Sequence, residues 1–116
     1  MDKLTKTIVN AMQDKKARDI VSLDLSKFDG AICDTFVICD AASTTQVEAI
    51  TNGIEQMVEK ELGEKVWRIE GLGNSVWVVM DYGNVMVHVF QTELRDFYKL
   101  EKLWGDAPAT HYKSEE

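Results

Sequence analysis

Asp81 and His88 are the side chains best suited to acid–base chemistry in this chain, with Glu70 a further carboxylate in the neighbourhood. Proton transfer needs the partners about 3 Å apart, or bridged by one water. Both residues fall in the run Trp77-Val-Val-Met-Asp-Tyr-Gly-Asn-Val-Met-Val-His-Val-Phe90, whose β-branched arms and central glycine predict a hairpin. A two-residue turn at Tyr82-Gly83 pairs Asp81 with Asn84, Val79 with Met86 and Trp77 with His88. The imidazole then lies two pairs from the carboxylate, too far for proton transfer. Other chemistry is weaker still. Gly71-Leu-Gly73 lacks the third glycine and following helix of a dinucleotide loop. Ser43-Thr44-Thr45 begins a helix, where an anion could bind but where capping is explanation enough. The closely spaced Asp-x-Asp with which nucleotidyl transfer holds magnesium does not occur in the sequence. Cys33 and Cys39 fall on one expected strand about 20 Å apart, beyond disulfide reach, and read as small buried hydrophobes. With His88 and His111 as the other soft ligands, neither a metal nor a cofactor is expected.

The hairpin has two unlike faces. Side chains alternate along a strand, so Val76, Val78 and Met80 share one side with Val85, Val87 and Val89. Trp77, Val79 and Asp81 share the other with Met86, His88 and Phe90. The first is an aliphatic core face. The second mixes large aromatics with a carboxylate and an imidazole, the composition of a recognition surface. Trp77, Asp81, Tyr82 and Tyr98 are therefore the expected partner-binding residues, because Trp and Tyr bury large areas at little rotamer cost. Met86 and His88 would extend the patch, and Asp81 would meet an Arg or Lys. The competing reading has Trp77 and Tyr98 packing the last helix onto the sheet.

The elements around the hairpin follow from periodicity. Leu4, Ile8, Ala11 and Met12 predict an amphipathic first helix. Strands are expected at 20–25, 35–39 and 66–70. Ser43 and Gln46 form a capping box before a helix with Val47, Ile50, Ile54, Met57, Val58 and Leu62 on one face, stopped at Gly63. Leu94, Phe97 and Leu100 or Glu101, then Trp104, mark a final helix, and the segment from Gly105 reads as loose. Strands outnumber the helices between them, so the sheet cannot be purely parallel. The expected architecture is mixed α/β: a five-stranded mixed sheet with helices mainly on one face.

These pieces together resemble the ribosomal silencing factor, or Iojap-like, family. The matching stretches are Asp19-Ile-Val-Ser-Leu-Asp24, residues 36–50, Glu70-Gly71, residues 77–90, and 98–104 with Asp106-Ala107, in the family's order. The resemblance makes residues 1–107 a single Iojap-like domain and leaves 108–116 as a tail. It implies a nucleotidyltransferase-like fold without the catalytic motif, and a non-enzymatic factor. Such a factor docks on the large ribosomal subunit through large-subunit ribosomal protein fourteen. It thereby blocks joining of the small subunit and represses translation when nutrients are limiting.

Charge agrees with a protein partner. The chain carries a net charge of −7, and residues 19–93 hold 13 acidic against 4 basic residues. Phosphate backbones are bound by Lys and Arg, so a dominant RNA contact is not expected. An acidic domain suits a basic protein, as ribosomal proteins are. No apolar run approaches the ~20 residues of a membrane span. The first residues lack a signal peptide's apolar stretch and a transit peptide's Arg/Ser-rich look, which points to the cytoplasm. Two other readings stay in play: a nucleotide-binding or nucleotidyltransferase-like enzyme, and a homodimer formed through the aromatic face.

Overall fold

Ile8, Ala11 and Met12 recur at the spacing of one helix face, and they are buried along α1, Lys3–Asp14. Asp2 caps that helix, its carboxylate accepting from the Thr5 amide at 2.7 Å. The computed structural model describes residues 2–98, 102 and 105–113. After α1 come β1 (Arg18–Asp24), β2 (Thr35–Ala41), α2 (Thr44–Leu62), β3 (Arg68–Glu70), β4 (Trp77–Asp81), β5 (Val85–Gln91), α3 (Thr92–Tyr98) and β6 (Ala109–Tyr112). The strands form one sheet in the order β3-β4-β5-β2-β1-β6. β2 and β5 run parallel, and the other neighbours are antiparallel.

The mixed sheet is as expected, but it has six strands rather than five. The sixth comes from the segment that reads as a loose tail. Ala109-Thr-His-Tyr112 pairs with β1, and the Tyr112 hydroxyl meets the Ser22 hydroxyl at 3.0 Å. This four-residue strand is held by its ladder to β1, whose edge it covers.

α2 begins as the capping box requires, with the Ser43 hydroxyl accepting from the Gln46 amide at 3.1 Å. The reciprocal half is missing, since the Gln46 side chain reaches instead toward the Lys15 and Lys16 carbonyls. α1 and α2 cover one face of the sheet, burying Val37, Cys39, Val78, Met80, Val85, Val87 and Val89 beneath Ile8, Met12, Val47, Ile50 and Ile54. Each such aliphatic side chain contributes about 1.5–3 kcal/mol by leaving water. α3 lies over the other face, so two of the three described helices share a side. On this second face Val21, Leu23, Phe36, Ile38 and Phe90 pack under Leu25, Phe28, Ala31 and Cys33 of the β1–β2 connection and under Leu94 of α3. Cys33 precedes β2 instead of lying in it, and both cysteines are buried as free thiols. The expected final helix is present from Thr92 to Tyr98, while Leu100 and Trp104 lie outside the described residues.

The hairpin keeps its expected faces and changes its register. Asp81 pairs with Met86, Val79 with His88 and Trp77 with Phe90. The turn residues are Gly83-Asn84, one position later than expected, because Tyr82 closes the ladder through its amide to the Val85 carbonyl at 3.0 Å. Two causes fix this. Tyr82 continues the buried series Val78, Met80, so its ring belongs to the core. Asp81 also accepts the Gly83 amide at 2.8 Å, and Gly83 takes φ +89°, which a side chain resists. A slip of two residues preserves side-chain parity, so the faces survive the shift.

Candidate functional site

Of the sequence-derived candidates, Trp77, Asp81 and Met86 meet on the second face of β4 and β5. Trp77, Val79, Asp81 and Met86 are half-buried there, beside the exposed Arg68 and Glu70 of β3. Val79, Asp81, Met86, Arg68 and Glu70 line a shallow depression of about 110 Å³. Such a depression suits a side chain of a partner better than an enclosed substrate. One Asp81 oxygen holds the turn through Gly83, and the carboxylate remains half-exposed. Arg68 stands opposite Asp81 in the ladder but directs its guanidinium to Glu70 at 3.1 Å. That ion pair is solvent-exposed on both sides and worth little to stability.

His88 is not on the surface. It is 5 % exposed, its ring edge-on to Phe36 with centroids 4.5 Å apart and parallel to Phe90. Its Nδ1 accepts from the Trp77 indole N–H at 3.2 Å. The indole in turn stacks on Phe90 at 5.1 Å. The imidazole therefore supports the patch from behind rather than extending it. Burial pushes its pKa down to about 4. In the unfolded chain His88 regains its ordinary value near 6.5, so acid favours unfolding. The stability that neutral His88 contributes is complete above that value and is lost as pH falls toward 4. Between about pH 7 and about pH 5 the loss should be about 2 kcal/mol. Urea unfolding at the two pH values measures it, and His88→Gln should abolish most of the slope.

Tyr82 is also corrected. It faces the α2 side of the sheet, 5 % exposed and opposite in direction to Trp77 and Asp81, so it cannot share their surface. Burial pushes its phenol well above the ordinary value, and the nearby Glu55, Glu64 and Glu59 add to the rise. Tyr98 ends α3, and its side chain lies outside the described residues.

A buried ion pair positions α3, and the expected sites did not include it. Asp40 of β2 lies on the same face as Phe36 and Ile38, 2 % exposed. Arg95 reaches its Oδ2 at 3.0 Å, Thr92 donates to its Oδ1 at 3.1 Å, and Arg95 also donates to the Asp19 carbonyl at 2.6 Å. That carbonyl is available because β1 bulges at Asp19, which takes φ +47°. Burial pushes the Asp40 carboxyl up, against the downward pull of Arg95 and Thr92. The sequence does hold a signal for this: a carboxylate in phase with Phe36 and Ile38 on an apolar strand requires a buried cation.

Among the described residues no group of three or more His, Cys, Asp or Glu side chains could hold a metal ion. Nor is any helix there long and apolar enough to cross a membrane.

The whole chain, residues 1–116, matches the family model described as ribosomal silencing factor during starvation. It belongs to that family. A ribosomal silencing factor from Halalkalibacterium halodurans is 45% identical over 105 residues, covering 90% of this chain and 88% of the relative. A crystal structure of a Chromobacterium violaceum protein superimposes with a TM-score of 0.83 at 34% identity, covering 90% of this chain and 88% of that one. More distant is a mouse protein named for mitochondrial assembly of the ribosomal large subunit, 29% identical over 84% of this chain but 43% of its own length. The family thus joins ribosome-related translation regulators with Iojap-like relatives.

Proposed function

We propose that this chain acts in the cytoplasm as a steric repressor of translation, docking on the large ribosomal subunit through large-subunit ribosomal protein fourteen. The docking surface is the second face of β4 and β5, with Trp77, Val79, Asp81 and Met86 at its centre, and Tyr98 is the further expected contact. Bound there, the domain occupies space that the small subunit needs, and no chemical step is involved. The observation that carries this reading is the half-exposed strip of Trp77, Val79 and Met86 around Asp81, on the face of β4 and β5 opposite α1 and α2. A half-buried aromatic on the same face as a carboxylate suits a basic protein surface. The excess of acidic residues across 19–93 favours the same class of partner over RNA. Family membership supports the ribosome as the target, and the mouse relative's name supports the large subunit. The direct test is titration of purified large-subunit ribosomal protein fourteen into the full chain, followed by calorimetry. Saturable binding that weakens with added salt is expected. Failure to bind, with intact large subunits also unbound, would overturn the reading.

A further inference from the structure

His88 is a poor choice for a packing residue. Its Nδ1 accepts from Trp77, so a neutral ring must carry its proton on Nε2. Nε2 is buried and has no hydrogen-bond partner among the described residues. An orphaned buried donor costs free energy that leucine or phenylalanine at the same position would not incur. The surroundings, Phe36, Phe90 and the ring of Trp77, offer nothing else that an imidazole is needed to satisfy. Its single polar use is therefore the indole N–H of a half-exposed residue two positions diagonal on the neighbouring strand.

We infer that His88 is a positioning residue for recognition: it fixes the Trp77 indole flat on Phe90 and occupies its N–H, so the partner is met by indole carbon surface alone. The inference rests on the proposed docking face. It adds a specificity rule, since a docking surface whose indole N–H is already used selects an aliphatic or cationic side chain at that point, not a hydrogen-bond acceptor. It also removes the need to order a free indole on binding, which would otherwise weaken association.

The experiment compares wild type, His88→Leu and His88→Gln as full chains, using two readouts. The first is the proton resonance of the Trp77 indole N–H, assigned by its loss in Trp77→Phe. The second is affinity for isolated large ribosomal subunits. In His88→Leu the resonance should shift upfield and exchange faster with solvent, and affinity should fall about tenfold, the scale of one lost hydrogen bond. His88→Gln, which keeps an acceptor, should restore most of both. A resonance unmoved in His88→Leu overturns the inference, as does equal binding loss in both variants. If His88→Leu does not fold, acid titration of wild type decides instead. The Trp77 resonance should move as the imidazole gains a proton, because imidazolium cannot accept, and a static resonance overturns the inference. Wild type failing to bind subunits would defeat the docking reading, while the resonance still decides the hydrogen bond.

Discussion

Arg95→Ala should lower the free energy of unfolding by about 3–5 kcal/mol, more than any surface substitution in this chain. The reason is what remains after the change. Asp40, 2 % exposed in the intact protein, keeps Thr92 as its one remaining described side-chain donor, and the Asp19 carbonyl loses the guanidinium too. A charge left without its counterion in the interior is far more damaging than the net value of the pair. The pair itself is a different quantity, and replacing both partners by apolar residues of similar size should cost much less. Chemical denaturation of Arg95→Ala and of the double variant Asp40→Leu/Arg95→Met measures both. The expected ordering places the double variant well above Arg95→Ala in stability. The consequence for function follows from position, because Arg95 ties α3 to β1 and β2 and Tyr98 is the last residue of that helix. Loosening α3 should therefore weaken docking as well as folding.

Trp77→Ala should weaken binding to the large subunit by about 2 kcal/mol, roughly thirtyfold, with little change of fold. Its indole covers Phe90 and joins the half-exposed strip that ends at Asp81. Truncation removes that area and leaves the His88 acceptor without its donor, so the loss combines contact with preorganisation. Equilibrium binding at fixed salt, with circular dichroism to show that the variant is folded, is the measurement. Wild-type affinity in a folded Trp77→Ala protein would remove Trp77 from the interface.

Local periodicity carried most of the architecture, and non-local pairing accounts for what it missed. The two faces of the hairpin were legible because parity depends on alternation alone. Its register was not, because moving the turn from Tyr82-Gly83 to Gly83-Asn84 depends on where the Tyr82 ring is buried, which the local sequence does not state. β6 was hidden because Ala109-Thr-His-Tyr112 is only four residues long and pairs with a strand some ninety positions earlier. Of the candidate binding residues, Trp77, Asp81 and Met86 lie together on one face. His88 lies beneath them and Tyr82 on the opposite side, since composition identifies a recognition face but not which of its members reaches solvent. The Asp40–Arg95 pair joins residues 55 positions apart and is visible only as a carboxylate out of place in an apolar strand.

The face around Asp81 is proposed to keep the ribosomal subunits apart. Purified subunits mixed with the wild-type chain or with Asp81→Arg, and resolved on a sucrose gradient, test it most directly. Wild type should sediment with the large subunit and suppress the joined ribosome, and the charge reversal should abolish both effects, because it turns attraction to a basic partner into repulsion. A wild-type chain that stays at the top of the gradient while the subunits join normally would exclude this role for the Asp81 face.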